Sequence, residues 1–371
     1  MSGFTPPFLL VTGLLLGGGA GFVMHRSDFC LAGMFRDLFL FRSTYKLRNL
    51  LLLVASSMTL FELARQLGLL PLYPFPLLGP ASLTNLIGGG LFGVGMVLAG
   101  GCVVGTLYKL GSGSTVSAFA LAGLLAGSAL YAEMHPGVKA LSAATTLFPG
   151  KLTVPQLLGV DPLLPVASLA VIASIYFLRW FRQGTWERPS FVAGYLQPWR
   201  AALILSLISL VSYVAVGMPL GITTSYAKIG GYLESLLFGA HMKGLAYFQS
   251  IPLDYRQPVT GAHLTGGPGP VLDAVALIQF PVIVGIVLGS AFSAARLHEL
   301  RFQRRVPWRQ CLSALVGGVA MGVASRIAPA CNVWHLMGGL PILALQSLLF
   351  VAGLLPGAWL GSSLISRVVI R

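Results

Sequence analysis

Long runs of hydrophobic residues divide the chain, and most polar residues fall in the segments between them. A helix that crosses a bilayer needs about 20 mostly apolar residues. Shorter apolar segments follow three of the cysteines and another runs near 226–240; because these are too short to span, we interpret them as re-entrant half-helices. The predicted transmembrane helices are 7–23, 48–70, 83–100, 115–133, 163–180, 199–217, 277–296, 311–327 and 342–366.

Composition leads to the same fold class. The 371 residues are 56% hydrophobic and 9% charged, whereas a soluble domain carries roughly 25% charged residues. Such a chain has too few polar residues to cover a surface exposed to water. We therefore predict an all-α polytopic membrane protein embedded in a lipid bilayer. The N-terminal apolar segment has no basic region before it and no clear cleavage site, so we expect a retained helix rather than a signal peptide.

The net charge of +14 comes from a shortage of acids, since 24 Lys and Arg face only 10 Asp and Glu. No basic run interleaved with aromatic residues lies in a polar domain, which argues against nucleic-acid binding. Lys and Arg in short loops instead report orientation, because they concentrate on the cytoplasmic side. An outside N-terminus places sixteen of them inside, among them Arg188, Arg304 and Arg371, and six outside. We expect a multi-pass protein of the bacterial inner membrane with a cytoplasmic C-terminus.

This orientation predicts two related halves. Residues 1–133 form the first half, and residues 199–371 form a second half that the single span 163–180 inverts. The connecting segment 134–198 contains an outside loop, that span and an inside loop. Inverted repeats place their shared site near the bilayer midplane. The loops 134–162 and 241–275 are long enough for short surface helices.

The candidate chemistry lies in a repeated motif, in which two glycines four residues apart are followed, after eight further residues, by a cysteine. Two glycines four residues apart clear one face of a helix for close packing, and the next eight residues lead to a point where the helix can break. By symmetry a fourth unit should open the second half, and Gly217-Met-Pro-Leu-Gly221-Ile-Thr-Thr-Ser225 offers the hydroxyls of Thr224 and Ser225 instead of a thiol. The three clear copies are Gly17-x3-Gly21-x8-Cys30, Gly89-x3-Gly93-x8-Cys102 and Gly318-x3-Gly322-x8-Cys331.

Three cysteines at matched positions favour function over the packing role of a lone membrane cysteine, whereas Cys311 lacks the motif and is read as structural. Arg26 and Arg326 precede two of the motif cysteines by four and five residues. Ionisable residues at membrane depth are costly and usually functional, so we expect both to draw an anion inward. Snorkelling, or pairing with a carboxylate such as Asp28, is the alternative.

Metal binding is a weaker hypothesis. Cys331-x3-His335 has helical spacing and His25 lies near Cys30, and such soft ligands suit copper(I) or zinc. Neither Cys331 nor Cys30 has a second cysteine near it in the sequence, so we predict no metal and no cofactor. Catalytic triads, phosphate loops and paired carboxylates are not found in the sequence, which argues against an enzyme.

The four units overlap the segments HRSDFCLAGMFRD, GVGMVLAGGCVVGTLYKLGSGS, GMPLGITTS and RIAPACNVWHLMGG. Together these segments resemble the YeeE/YedE family of bacterial inner-membrane proteins, whose best-understood members look like thiosulfate uptake transporters. The resemblance covers all four units across nearly the whole chain. In the last unit the usual Gly-Cys is Ala330-Cys331, and Trp334 replaces the glycine that follows three residues after the cysteine.

The resemblance implies an hourglass-shaped transporter of two inverted halves, in which Cys30, Cys102 and Cys331 pass thiosulfate inward through transient hydrogen bonds. It places Gly101 beside Cys102 in the Gly-Cys pair, and it implies a TusA-like cytoplasmic partner that handles the imported sulfur. Trp334 and His335 would narrow and polarise one end of the path. Three alternatives stay open: another sulfur or selenium anion, a carrier that uses covalent persulfides, and a sensor without flux.

Overall fold

A computed structural model describes residues 4–187, 194–303 and 305–368. Arg188, Arg304 and Arg371, three of the cations assigned to the inner side, lie outside these residues. Between α14 and α15 lie a π-helical turn (His335–Gly339) and a 3-10 turn (Leu340–Ile342). The helices are α1 (Thr5–Ser27), α2 (Leu31–Phe41), α3 (Tyr45–Gln66), α4 (Leu83–Leu98), α5 (Val103–Gly111), α6 (Thr115–Ala144), α7 (Val154–Leu158), α8 (Leu163–Arg182), α9 (Pro198–Val216), α10 (Thr223–Gly244), α11 (Ala246–Gln249), α12 (Ala274–Arg296), α13 (Trp308–Ile327), α14 (Asn332–Trp334) and α15 (Leu345–Val368).

The all-α polytopic fold is confirmed. Within the described residues, nine helical segments are long and apolar enough to cross a membrane, and each overlaps one of the nine predicted spans. They are α1 together with α2, α3, α4 together with α5, α6, α8, α9, α12, α13 and α15. Helix α8 packs on α3 and buries only Val166, as expected of a connecting span at the edge of the bundle.

Each motif unit folds as a long helix, a break, a further helical segment and a second long helix. The segment after the break is short in three units, whereas α10 has 22 residues and α9 before it has 19. The breaks follow α1, α4, α9 and α13, and α2, α5, α10 and α14 begin directly after them. In the fourth unit the break falls at Gly217, which caps α9 in the left-handed region at φ 93°. The short segments predicted as half-helices are therefore confirmed as helices, although α10 is interrupted at Phe238.

The paired glycines lie where helices approach most closely. A Cβ on Gly17 or Gly21 would strike the backbone of Val282 or Ile286 in α12. Gly89 and Gly93 meet the backbone of α15 in the same way, and Gly318 and Gly322 meet that of α6. Each copy of the motif thus joins α1, α4 or α13 to a spanning helix of another unit, as the spacing predicts.

Helix packing follows a pattern of exchanged partners. Helix α1 packs on α12, and α3 on α9; likewise α4 packs on α15, and α6 on α13. In the order of the chain, the counterparts of α1, α3, α4 and α6 are α9, α12, α13 and α15. Exchanging each helix for its counterpart turns the α1–α12 contact into the α9–α3 contact, and the α4–α15 contact into the α13–α6 contact. This exchange is what two related halves would produce. The boundaries at 133 and 199 stay a prediction, which the packing supports.

The two long loops, 134–162 and 241–275, contain more than the short surface helices expected from the sequence. Helix α6 continues to Ala144 through Pro136, and only α7 forms in the rest of the first loop. The second loop contains α11 and an antiparallel hairpin, β1 (Leu253–Arg256) and β2 (His263–Gly266). Its strands alternate buried and exposed side chains, but four residues are too few for this period to stand out in the sequence.

We expect Gly21→Ala to destabilise the protein because its methyl group would lie 2.8 Å from the Ile286 Cα. Overpacking of this kind costs about 1–3 kcal/mol, so the melting temperature in detergent should fall. Gly18→Ala is the matched control on the same helix, since its methyl group would lie 3.8 Å from the nearest atom, the Gly285 carbonyl oxygen. Equal melting temperatures for the two variants would contradict the packing role of the motif.

Candidate functional site

All three motif cysteines occupy the same structural position. Cys30, Cys102 and Cys331 are the N-cap residues of α2, α5 and α14, and each has extended backbone geometry. Their exposed fractions are 2%, 0% and 1%. Cys311 lies at the start of α13 and is only partly buried. The motif therefore places three thiols at helix breaks inside the protein.

Two of the sulfur atoms flank one glycine. A Cβ built on Gly105, in the first turn of α5, would lie 3.2 Å from the Cys30 Sγ and 3.3 Å from the Cys102 Sγ. The Gly105 amide also donates a hydrogen bond to the Cys102 Sγ, with an N–S distance of 3.3 Å. The two thiols are close enough for a side-chain hydrogen bond. Only a residue without a side chain leaves the space between them open.

The third thiol lines a small cavity at the helix breaks. The cavity measures about 20 Å³, which is room for about one water molecule. Its lining is entirely apolar and includes neighbours of every break: Phe29, Leu31, Val104, Ile222 and Cys331. Helix α14, which begins after Cys331, contacts α5, which begins after Cys102. The structure thus brings the Cys30 and Cys102 thiols together at Gly105 and places the Cys331 thiol at a neighbouring apolar cavity.

Gly101 lies in the turn that leads into α5. Gly100 takes the left-handed conformation at φ 68°, and the Gly101 amide donates to the Met96 carbonyl oxygen at 3.1 Å. A Cβ on Gly101 would lie 3.4 Å from the carbonyl carbon of Gly105. The glycine lets the turn pack closely against the first turn of α5, beside the Cys102 thiol.

The fourth unit brings different groups to the centre. Thr224 is half-buried, and Ser225 is fully buried with its hydroxyl unpartnered. The Ser225 amide donates to the Gln279 side-chain oxygen at 2.9 Å. The next residue, Tyr226, is 1% exposed and its hydroxyl also has no partner. Sequence reasoning missed Tyr226, because the unit lacks the spacing that marks the cysteines in the other three.

Arg326 is a buried cation at the end of α13. Its guanidinium group donates to the Thr224 hydroxyl at 3.4 Å and to the Tyr247 hydroxyl at 3.3 Å. Its Nε has no partner, and no described carboxylate forms an ion pair with it. Since a buried cation without a counter-ion attracts anions strongly, this geometry suits the role predicted for Arg326.

Arg26 lies elsewhere, at the end of α1. Its guanidinium group donates to the Ser293 hydroxyl at 3.1 Å and to the Gly194 carbonyl oxygen at 2.8 Å. Asp28, its suggested carboxylate partner, instead pairs with Lys46 at 3.2 Å. Arg26 therefore joins α1 to α12 and to the segment before α9, and the structure does not bring it together with Arg326.

A polar network that the sequence did not indicate lies beside Cys30. The Tyr108 hydroxyl donates to an Asp28 carboxylate oxygen at 3.4 Å, and the Lys46 ammonium group also pairs with Asp37 at 3.1 Å. The Lys109 ammonium group donates to the Gly100 carbonyl oxygen at 2.6 Å. Lys46 and Lys109 belong to segments assigned to the inner side, where their only sequence signal was positive charge.

Trp334 and His335, which follow Cys331, pack against the loop between α3 and α4 and against α15. Trp334 contacts Phe75 edge to face, with ring centroids 5.1 Å apart. His335 is fully buried; its Nδ1 lies 2.8 Å from the Ser347 hydroxyl, and its ring stacks on Phe350 at 4.1 Å. The other nitrogen, Nε2, has no partner. Ser347 and Phe350 belong to α15, so that helix fixes the His335 ring.

The described residues contain one group of potential metal ligands, Glu133, Glu234 and His241, whose ligand atoms all lie within 4.8 Å of one another. Glu133 and His241 are exposed and form an ion pair, with the His241 Nε2 at 2.5 Å from a carboxylate oxygen. That surface pair accounts for the arrangement. The group does not include His25, Cys331 or His335, the residues of the metal hypothesis.

Several known proteins are similar to this chain. A family model described as Sulphur transport matches residues 26–360. A thiosulfate transporter, TsuA, of Spirochaeta thermophila is 30% identical over 355 residues, which cover 95% of this chain and 97% of that protein. TsuA of Escherichia coli is 27% identical over 366 residues, 96% and 95% of the two chains. The probable transporter YedE of Escherichia coli is 32% identical over 167 residues, 44% of this chain and 37% of its own length.

Proposed function

The chain belongs to the sulphur transport family, and on that premise we propose that it imports thiosulfate by passing the anion along Cys30, Cys102 and Cys331. The observation that carries this proposal is the arrangement of the thiols. Two of the sulfur atoms flank Gly105 at 3.2 and 3.3 Å from its Cβ position, and the third lines the apolar cavity. Three buried thiols at matched helix breaks are expected of a path for a soft anion.

Thiosulfate fits such a path because it carries charge on a polarisable terminal sulfur. A thiol is a weak hydrogen-bond donor, so each cysteine holds the anion only briefly. Weak, closely spaced sites allow an ion to enter and also to leave, the requirement that governs ion-channel filters. An apolar surrounding disfavours the thiolate, which covalent capture would require. We therefore prefer the hydrogen-bonded relay to a carrier that forms covalent persulfides.

The positions of the positively charged residues favour transport from the outside to the cytoplasm. Arg326, with no carboxylate partner among the described residues, would attract the anion on the side of Cys331 that we assign to the outside. The excess of Lys and Arg in the opposite loops favours a cytoplasmic C-terminus in the bacterial inner membrane. On the inner side we propose a TusA-like sulfur-handling protein as the acceptor. A C-terminal reporter active only in the cytoplasm would test the orientation.

The function is tested by uptake into vesicles that contain the purified protein, with labelled thiosulfate, sulfite and selenite compared side by side. We expect saturable accumulation of thiosulfate, well above that of the other two anions and of protein-free vesicles. Stronger uptake of sulfite or selenite would favour the other substrate class. No accumulation of any anion under any ion gradient would contradict transport and favour a sensor.

A further inference from the structure

The thiols of the proposed path can bind only the terminal sulfur of a thiosulfate ion. Its terminal sulfur can accept weak S–H donors, but its three sulfonate oxygens are hard acceptors that need O–H or N–H groups. The cavity at the helix breaks offers them none, since its lining is apolar. An anion that reached Cys331 or Cys102 would therefore need polar donors nearby, because an unpaired charged group is costly to bury.

Unpartnered polar groups belong to two residues that lie close in the chain to residues of the cavity lining. The Tyr226 hydroxyl is buried and has no hydrogen-bond partner, and Tyr226 lies in the first turn of α10, four residues after Ile222, which lines the cavity together with Cys331. Asn332 directly follows Cys331, is 0% exposed, and leaves both its amide nitrogen and its amide oxygen unpartnered. An unpaired buried polar group destabilises a protein. Two such residues, one next to Cys331 in the chain and one a helical turn from the cavity lining, indicate groups kept for a ligand.

We propose that Tyr226 and Asn332 are specificity-determining residues that donate hydrogen bonds to the sulfonate oxygens while the thiols hold the terminal sulfur. This inference rests on the proposed function and names the groups that would recognise the other end of its substrate. The phenol supplies one donor and the amide nitrogen supplies two. The fourth unit, which lacks a thiol, thus contributes a hydroxyl to the same centre from the first turn of α10.

The matched control is a second buried tyrosine. Tyr213 is 1% exposed, like Tyr226, but its hydroxyl donates to the Leu72 carbonyl oxygen at 2.6 Å. Tyr226→Phe and Tyr213→Phe therefore remove the same atom from equally buried rings. The first removes an unpartnered hydroxyl, whereas the second breaks a hydrogen bond and leaves a carbonyl oxygen without its donor.

We expect the two variants to show opposite behaviour. Tyr226→Phe should raise the KM for thiosulfate uptake about 10- to 100-fold, the loss expected for a hydrogen bond to a charged group. Its melting temperature should equal or exceed that of the wild type, because an unpaired polar atom is gone. Tyr213→Phe should lower the melting temperature and leave the KM unchanged. A purely structural role for Tyr226 cannot produce this crossed result.

The inference is overturned if Tyr226→Phe keeps a KM within about twofold of wild type, or if its KM rises only together with a lower melting temperature. Should this variant not reach the membrane, Asn332→Leu is measured in the same way with the same expected and contrary results. Cys102→Ala in the same vesicles separates the two proposals. No saturable wild-type uptake contradicts the proposed function, whereas a Cys102-dependent uptake that Tyr226→Phe leaves unchanged contradicts this inference alone.

Discussion

Cys102→Ala should reduce thiosulfate uptake to the level of protein-free vesicles. The expected loss is about 100-fold or more, which is at the upper end of the range for losing one hydrogen bond to a charged group. The reason is the position of this thiol between the other two. Its sulfur lies beside that of Cys30 at Gly105, and α5, which it caps, contacts α14, which Cys331 caps. Without it the proposed path lacks the thiol that links Cys30 to Cys331. Growth on thiosulfate as the only sulfur source measures the same loss in cells that lack other importers.

Cys311→Ala is the matched control, since Cys311 is partly buried at the start of α13 and lies in a surface groove with Trp308 and Leu312. This variant should transport like the wild type. Normal growth of cells with Cys102→Ala, at normal protein levels in the membrane, would contradict the assignment of the thiol.

Cys102→Ser then distinguishes hydrogen bonding from covalent capture. Serine keeps an O–H donor but cannot form the sulfur–sulfur bond of a persulfide. A hydrogen-bonded relay predicts uptake between those of the wild type and the alanine variant. A persulfide carrier predicts that serine is as inactive as alanine, and that mass spectrometry after exposure to thiosulfate finds a cysteine heavier by one sulfur atom.

The spacing of glycine and cysteine predicted more of the site than any other feature. Two glycines four residues apart require a helix that passes closely, and all three copies have one. The eight residues after them end at an N-cap cysteine in every case. These consequences are local, because helix geometry alone relates the positions.

The sequence did not reveal which side chains of neighbouring segments would reach the same centre. Thr224 and Ser225 drew attention as hydroxyls, yet whether they or Tyr226 approach the thiols depends on where α10 begins relative to the break at Gly217. Arg26 and Arg326 looked equivalent by their distance from a cysteine. One bonds to Ser293 and the other to Tyr247, which are tertiary contacts that no spacing encodes.

Gly105→Ala should block transport while leaving the fold intact. Its methyl group would lie 3.2 Å from the Cys30 Sγ and 3.3 Å from the Cys102 Sγ, closer than the roughly 3.5–4.0 Å of a favourable nonbonded contact. It would fill the space across which the proposed relay passes the anion between the two thiols. We expect the rate of thiosulfate uptake to fall at least about 10-fold, since the spacing between successive weak sites is what allows conduction.

The same variant should still fold, because the preference of a helix for alanine over glycine, about 1 kcal/mol, offsets part of the cost of crowding the two sulfur atoms, and the Gly105 amide can still donate to the Cys102 Sγ. Gly33→Ala in α2 is the control beside the same thiol. Its methyl group would lie at ordinary contact distances, 3.6 Å from the Cys30 Cβ and 4.0 Å from the Cys30 Sγ, so uptake should stay near that of the wild type. If Gly105→Ala transports as fast as Gly33→Ala, the anion does not pass between Cys30 and Cys102, and the relay must be abandoned even though the thiols are buried together.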